Sequence, residues 1–291
     1  MEVDLSVTQD PNLSMQGRRV LVTGATSGIG KEIAVRLAGL GAELVLACRD
    51  VERGRAAAAE IERRTGWKNC ALMHIDGSSR KSIREFAGLF RKKYSWFDVL
   101  VNNAGVYLNR RQASADGLEL TFATNVLGYF LLTRELLDLL RSSAPARIVN
   151  VASTYAGDLD LGDLQFERRG YDGQKAYKQS KACDRLLTWA LARRLEGSGV
   201  TANAMAPGLV QTGLYRHMSP FMRLPLRFAG LFFGRSVGQG ADTAVWLASS
   251  PEVEGVTGKF FELRREAACQ FRNTGDEEKL WRICEALARS D

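Results

Sequence analysis

Histidine is almost missing from this chain: His74 and His217 are the two in 291 residues. A histidine-built metal centre or a histidine-based triad is therefore poorly supplied. Cysteine is sparse as well. Cys48, Cys70, Cys183, Cys269 and Cys284 lie far apart, with no C-x-x-C pair. An odd, scattered set points to reduced thiols in a cytoplasmic setting and away from a disulfide framework. No apolar run reaches the roughly 18 residues that a membrane-spanning helix needs. Residues 1–16 carry Glu2, Asp4 and Asp10 and no hydrophobic segment, so they read as a loose lead-in and not as a signal peptide. No block of like charge appears either. The net charge of +7 comes from scattered pairs such as Arg18–Arg19, Arg110–Arg111 and Arg168–Arg169. That is a solvated surface, and it argues against nucleic-acid binding. A positive surface still favours an anionic ligand.

What the chain does have is a regular alternation. Short apolar runs at 18–23, 43–48, 71–75, 98–101, 147–151 and 200–205 read as buried strands. Helical patterns stand between them. One runs to Gly41, one from Asp50 to Thr65, one from Ser79 to Tyr94, one over 118–140 and one over 174–195. Strand–helix alternation of this kind makes right-handed βαβ crossovers and a parallel sheet covered on both faces. The expected fold is a single-domain α/β doubly wound sheet of about seven strands, Rossmann-type. Ligands of such sheets bind beyond the carboxyl ends of the strands. The expected division is a domain over 17–265 and a helical tail over 266–291.

The first strand runs into Thr23-Gly24-Ala25-Thr26-Ser27-Gly28-Ile29-Gly30. Glycines let the backbone turn tightly and approach a pyrophosphate, and the following helix N-terminus supplies N–H donors. Such a turn can also be nothing more than a turn; the strand before it and the helix after it favour a dinucleotide site. A Walker loop is excluded by spacing, because Glu32 follows Lys31 where a hydroxyl is needed. Further along, Tyr177 and Lys181 sit four apart in a helical run and so share one face. A phenol near an ammonium is a proton donor for a carbonyl under reduction and a base for an alcohol under oxidation. The same spacing also describes an aromatic ring packed under a lysine stem.

Taken together, Thr-Gly-x-x-x-Gly-x-Gly at 23–30, Asn102-Asn103-Ala104-Gly105 after the fourth strand, and Tyr-x-x-x-Lys at 177–181 resemble the short-chain dehydrogenase/reductase family. The resemblance covers about 18–262. It implies a catalytic tetrad of Asn125, Ser153, Tyr177 and Lys181. In it Ser153 orients the substrate oxygen, Asn125 holds a water leading to Lys181, and Lys181 lowers the Tyr177 pKa and binds the nicotinamide ribose. It implies cofactor contacts at Gly24, Thr26, Ser27, Gly28, Ile29 and Gly30. Asp76 would face the adenine, with Asn103, Ala104 and Gly105 beside it. Pro207, Gly208, Val210 and Thr212 would lie near the nicotinamide. Gly77, after Asp76, departs from the family's usual leucine or valine.

Cofactor choice rests on the end of the second strand, Ala47-Cys48-Arg49. No acid stands at Ala47 or Cys48 for a ribose 2′-hydroxyl, and Arg49 suits a 2′-phosphate, so NADP(H) is expected. The alternative is Asp50 as the ribose ligand and an NAD-dependent enzyme. A non-catalytic NADP(H)-sensing protein on the same fold is a second alternative, weakened by the presence of both Tyr177 and Lys181. Sugar epimerases of the extended family carry a different glycine spacing, and no G-x-S-x-G suggests a hydrolase.

The insert 157–171, the Ala47–Asp50 segment and a tail containing Leu280-Trp281 resemble the retinol dehydrogenase-like branch. That branch implies oxidoreduction of lipophilic aldehydes, ketones or alcohols, with retinal-, steroid- or polyketide-like substrates. Residues 218–234 hold Phe221, Met222, Leu224, Leu226, Phe228, Leu231, Phe232 and Phe233. Within 209–236 they read as an apolar substrate lid, as a peripheral membrane contact, or as a helix pair on its own core. Leu187 and Leu191 are compatible with a homo-oligomer paired through helices.

Overall fold

The computed structural model describes residues 13–208, 210, 235–269 and 271–289. An eight-stranded sheet forms its centre, in the order β3-β2-β1-β4-β5-β6-β7-β8. The strands are β1 (Arg19–Thr23), β2 (Glu43–Cys48), β3 (Cys70–His74), β4 (Val99–Asn102), β5 (Ala146–Val151), β6 (Val200–Ala206), β7 (Phe260–Glu262) and β8 (Arg265–Glu266). All neighbours pair in parallel except β7 and β8. The eighth strand follows a two-residue turn with positive φ at both Leu263 (54°) and Arg264 (57°). Hairpin turns of that hand normally advertise themselves with Asn-Gly or Asp-Gly. Here the turn holds neither, which is why β8 was not expected.

Among the described residues, seven helical stretches and a 3-10 turn at Pro251–Val253 flank the sheet: α1 (Gly28–Gly39), α2 (Val51–Thr65), α3 (Arg80–Lys93), α4, α5 (Gly173–Arg194), α6 (Val237–Ser249) and α7 (Thr274–Arg289). The stretch α4 is composite: Leu120–Phe122, a π turn at Ala123–Leu127, then Gly128–Ser142. Helix α6 lies outside the helical patterns read from the sequence, although Ser236-x-x-Gln239 is a helix-start signature. Its start is a capping box, in which Ser236 and Gln239 satisfy each other's backbone N–H groups.

Side chains alternate between two cores, as the period of a strand requires. Leu21 and Leu100 enter a cluster with α3, α4, α5 and α7. Val20, Val22, Val99 and Val101 enter the opposite cluster with α1 and α6. Burial on both faces is what makes these strands read as unbroken apolar runs.

The tail is part of the fold. Leu280, Cys284 and Ala288 of α7 are fully buried, in one cluster with Leu187 and Leu191 of α5. Trp281 meets Phe130 edge-on at 4.9 Å between ring centres. Arg193 pairs with Glu277, and Arg194 with Glu278 at 2.6 Å. Leu187 and Leu191 therefore face the chain's own tail.

Candidate active site

The strand order reverses between β1 and β4, and a cleft of about 560 Å³ opens beyond their carboxyl ends. Its walls include Gly24, Thr26, Ser27, Gly28, Ile29 and Gly30 from the first turn. Arg49 and Asp76 come from the ends of β2 and β3, and Asn103, Ala104 and Gly105 from the end of β4. Ser153, Tyr177, Lys181, Pro207, Gly208 and Val210 close the other side. Thr212 and residues 218–234 lie outside the described residues.

Two glycines of the turn are required by contact. A Cβ on Gly30 would stand 2.2 Å from Asn103 Nδ2 and 2.5 Å from the Gly24 carbonyl oxygen. Gly24 has φ of 66°, and a Cβ there would meet Ala104 Cα at 2.8 Å. The turns after β1 and β4 are thus locked together. Asn103 Nδ2 donates to the Thr23 carbonyl at 2.9 Å. The Thr23 hydroxyl accepts from the N–H groups of Asn103 and Ala104 at 2.9 and 3.0 Å. At the head of α1 the Ser27 side chain makes no capping bond and the first turn holds no acid. Its N–H groups and positive dipole end are left to an anion in the cleft.

Arg53, not singled out from sequence, joins Arg49 in the cleft wall. Asp50 is engaged differently: its Oδ1 caps α2 by accepting from Arg53 N–H at 3.0 Å. Asp76 accepts from the Ser78 N–H at 2.9 Å and hydroxyl at 2.7 Å, tying down its own turn.

At the catalytic wall, Tyr177 is 7% exposed and packs against the ring of Tyr107 at 5.8 Å. The Ser153 hydroxyl accepts from the Tyr155 N–H at 3.0 Å. The same hydroxyl acts on the Tyr177 phenol, lowering its pKa. Arg185 holds this serine from behind by donating to the Ser153 carbonyl, while its guanidinium lies over the Phe260 ring at 3.7 Å. Lys181 Nζ donates to the Val151 carbonyl at 2.9 Å and to Asp184 Oδ2 at 2.8 Å. An ammonium has three hydrogens, so one remains for the cleft.

Asn125 sits in the π turn of α4, fully buried. Its Oδ1 accepts from the Val106 N–H at 2.8 Å, and its Nδ2 donates to the Val106 carbonyl at 3.1 Å and to Ser180 Oγ at 3.0 Å. Ser180 in turn donates to the Tyr177 carbonyl at 2.8 Å. The side chain is a strap joining the β4 loop to α5, with both amide hydrogens in use. A water held by Asn125 therefore has no side-chain hydrogen to accept. π turns of this sort often mark functional positions in helices.

Burial raises the Tyr177 pKa well above its usual value, Ser153 acts to lower it, and the Asp184 charge raises it again. Asp184 pairs with the Lys181 charge at 2.8 Å. Burial would depress the lysine pKa, but Asp184 outweighs that and raises it. Burial thus holds Tyr177 toward its acid form.

Residues 18–222 match the family described as short chain dehydrogenase. The chain belongs to this family. Among curated relatives, this short-chain dehydrogenase is 41% identical to human retinol dehydrogenase 13 over 283 residues, 95% of this chain and 85% of that protein. It is 39% identical to human retinol dehydrogenase 14, covering 96% of this chain and 88% of that one. Among solved structures it resembles an uncharacterized protein from Mycobacterium paratuberculosis, with a TM-score of 0.76 and 29% identity over 96% of this chain and 97% of that one. It also resembles the RhlG/NADP active-site complex of Pseudomonas aeruginosa, with a TM-score of 0.70 and 29% identity over 85% of this chain and 95% of that one. The short-chain dehydrogenase is therefore retinol dehydrogenase-like in sequence and an oxidoreductase of the CH–OH/C=O type. Among the described residues no helix is long and apolar enough to cross a membrane.

Proposed function

We propose that this chain transfers hydride between NADPH and a lipophilic aldehyde or ketone, or the corresponding alcohol, of retinal-, steroid- or polyketide-like character. One observation carries the proposal: Ser153 and Tyr177 meet at the wall of the same cleft whose far end is the uncapped glycine turn. The residues present fit a dinucleotide. The Gly24–Gly30 turn and the head of α1 would hold the pyrophosphate, Asp76 and the Asn103–Gly105 segment the adenosine side, and Lys181, Pro207, Gly208 and Val210 the nicotinamide side. When bound, that group supplies the hydride.

Arg49 and Arg53 favour NADPH over NADH, because a guanidinium pairs with a 2′-phosphate and Asp50 Oδ1 is engaged in capping. The protein's own part in the reaction is proton management. Ser153 donates to the substrate oxygen and orients it. Tyr177 gives its proton to that oxygen as negative charge develops there, which is transition-state stabilisation by preplaced donors. Tyr107 and Leu108, both buried at the mouth, offer an apolar surface to a substrate. The names of the retinol dehydrogenase relatives agree with an apolar substrate. Residues 209–236 act as its lid, on their apolar composition. The chain works in the cytoplasm; a contact of 218–234 with membrane surfaces is the rival to the lid.

The test is consumption of NADPH or NADH, by absorbance, with a panel of apolar aldehydes and ketones. Turnover with NADPH and a lipophilic carbonyl is expected. Clear preference for NADH would replace the proposal with an NAD-dependent enzyme, and no turnover on the panel would remove it.

A further inference from the structure

Asp184 lies behind Lys181, and the reaction described above does not use it. It stands one turn along α5, and its side chain is wholly shut from solvent. Oδ2 is paired with the lysine, but Oδ1 has no partner. A buried carboxylate oxygen without a donor is costly unless something answers it. Asp184 also lines a cavity of about 50 Å³ between α4, α5 and α7. Asn150, Thr133 and Tyr129 share that wall, and the Tyr129 hydroxyl is likewise buried without a partner. The cavity is walled mainly by apolar side chains, with Asp184 Oδ1 and the Tyr129 hydroxyl as unpartnered polar atoms beside it, and its volume accommodates on the order of three waters. Arg134, Leu137 and Trp281, all half-buried, form its outer wall. The frame around it is rigid. Asn102 donates to Thr133 and Asn150, Asn150 to Thr188, and Thr188 to the Asp184 carbonyl, at 2.7 to 3.0 Å.

We propose that Asp184 is a positioning residue for Lys181, and that with water in the cavity behind it the carboxylate forms a proton route from the ammonium to the surface between α4 and α7. The proposal rests on Tyr177 and Lys181 being the reacting pair. In reduction the Tyr177 O–H bond breaks as the substrate oxygen takes the proton. The phenolate regains a proton from the Lys181 ammonium. The resulting amine takes one from the Asp184 carboxyl or from water against it, and solvent at the outer wall replaces that proton. One proton enters from solvent for each alcohol formed; oxidation runs the same path outward. Burial pushes the Asp184 carboxyl up to about 6, against the lowering influence of Lys181 and Arg185, so both of its protonation states are accessible near neutrality. The other ionisable groups facing it are Tyr177 and Cys183 on α5, Tyr129 from α4 and Cys284 from α7, with Arg134 at the cavity wall.

The test uses the full chain, NADPH and an apolar aldehyde that it turns over. Asp184→Asn keeps the shape and removes the charge. The expected result is loss from the kcat profile of the ionisation near pH 6 together with an about ten-fold fall in kcat, while NADPH binding by fluorescence stays within about two-fold. In the oxidising direction the base limb moves to lower pH, because the Asp184 charge no longer raises the Tyr177 pKa. Leu137→Trp plugs the outer wall without touching the carboxylate, and is expected to slow kcat several-fold with NADPH binding unchanged. Unaltered pH profiles in Asp184→Asn, or full kcat in Leu137→Trp, would overturn the route. So would a fall in kcat matched by an equal loss of NADPH binding. Activity retained by Tyr177→Phe would instead overturn the underlying choice of reacting pair, so the two failures are distinguishable.

Discussion

The two ends of the cleft are built on different physics. At the glycine turn, binding capacity comes from the absence of side chains. Gly24 and Gly30 allow two loops to touch, one carboxamide (Asn103) and one hydroxyl (Thr23) bridge them, and the helix head faces the cleft with its N–H groups uncapped by a side chain. At the catalytic wall, capacity comes from charged groups held in places where charge is disfavoured. Tyr177, Lys181 and Asp184 are all buried; Asp184 raises the pKa of both others, and Lys181 acts to lower that of Asp184. The first end should fail when bulk is added and ignore small changes of charge. The second should fail when a proton or charge is removed and tolerate changes that keep shape.

Four variants sharpen or break that contrast. Tyr177→Phe keeps the ring and removes the proton; turnover should fall by about 10³ or more while NADPH binding remains, measured by initial rates and fluorescence titration. Ser153→Ala should lower kcat by roughly 10²–10³, because one donor to the developing oxyanion is lost. Gly30→Ala brings a methyl to 2.5 Å from the Gly24 carbonyl, which cannot swing aside, and to 2.2 Å from the Asn103 amide. It should cost about 1–3 kcal/mol in denaturant unfolding and abolish cofactor binding. Arg49→Ala should shift the NADPH-to-NADH preference by roughly 10-fold and leave kcat alone. A Gly30→Ala enzyme with normal NADPH affinity, or a Tyr177→Phe enzyme that cannot bind NADPH, would erase the contrast.

The pH behaviour follows from the same wall. Tyr177 has its folded pKa raised by burial, so the acid form persists across the neutral range. Reduction should therefore show no loss from Tyr177 ionisation as pH rises through neutrality, whereas oxidation, which needs the base, should accelerate with pH. Rate profiles in both directions check this. The smallest effect belongs to the tail. Arg194 first and Arg193 second hold the Glu278 carboxyl down to about 2. A depressed folded pKa stabilises above the unfolded value and is lost as pH falls through the folded one. Glu278 is 34% exposed, so Glu278→Gln should cost only about 0.5 kcal/mol at pH 7. The difference from the parent should shrink below about pH 4.5 and vanish near pH 2, as thermal melts would show.

Most strands and the two motifs at their ends were legible in the sequence, because periodicity and glycine spacing act over a few residues. Val20-Leu21-Val22 reads as a strand from its own pattern, and Tyr177 and Lys181 share a helix face by spacing alone. Two elements escaped: α6, whose Ser236-x-x-Gln239 capping box was a readable signal that went unread, and β8, which follows a turn of Leu263 and Arg264 with no Asn-Gly or Asp-Gly. The Arg185 grip on Ser153 spans 32 positions, and the Lys181 bond to Val151 spans 30. No local pattern reports such bonds. The Lys181–Asp184 spacing was visible, but nothing in it says that the pair is buried or that one carboxylate oxygen is left over.

Backbone preference and side-chain period belong to short stretches of chain, and for that reason most of the order of strands and helices, and the residue types at the cleft, were settled by the amino acids alone. Protonation and partnership are properties of an environment. Whether Tyr177 is an acid, which charge Lys181 answers, and whether Leu187 faces a second copy or the chain's own tail depended on groups brought together from distant positions. Only the folded chain supplies that environment, because desolvation and pairing act through space and not along the sequence.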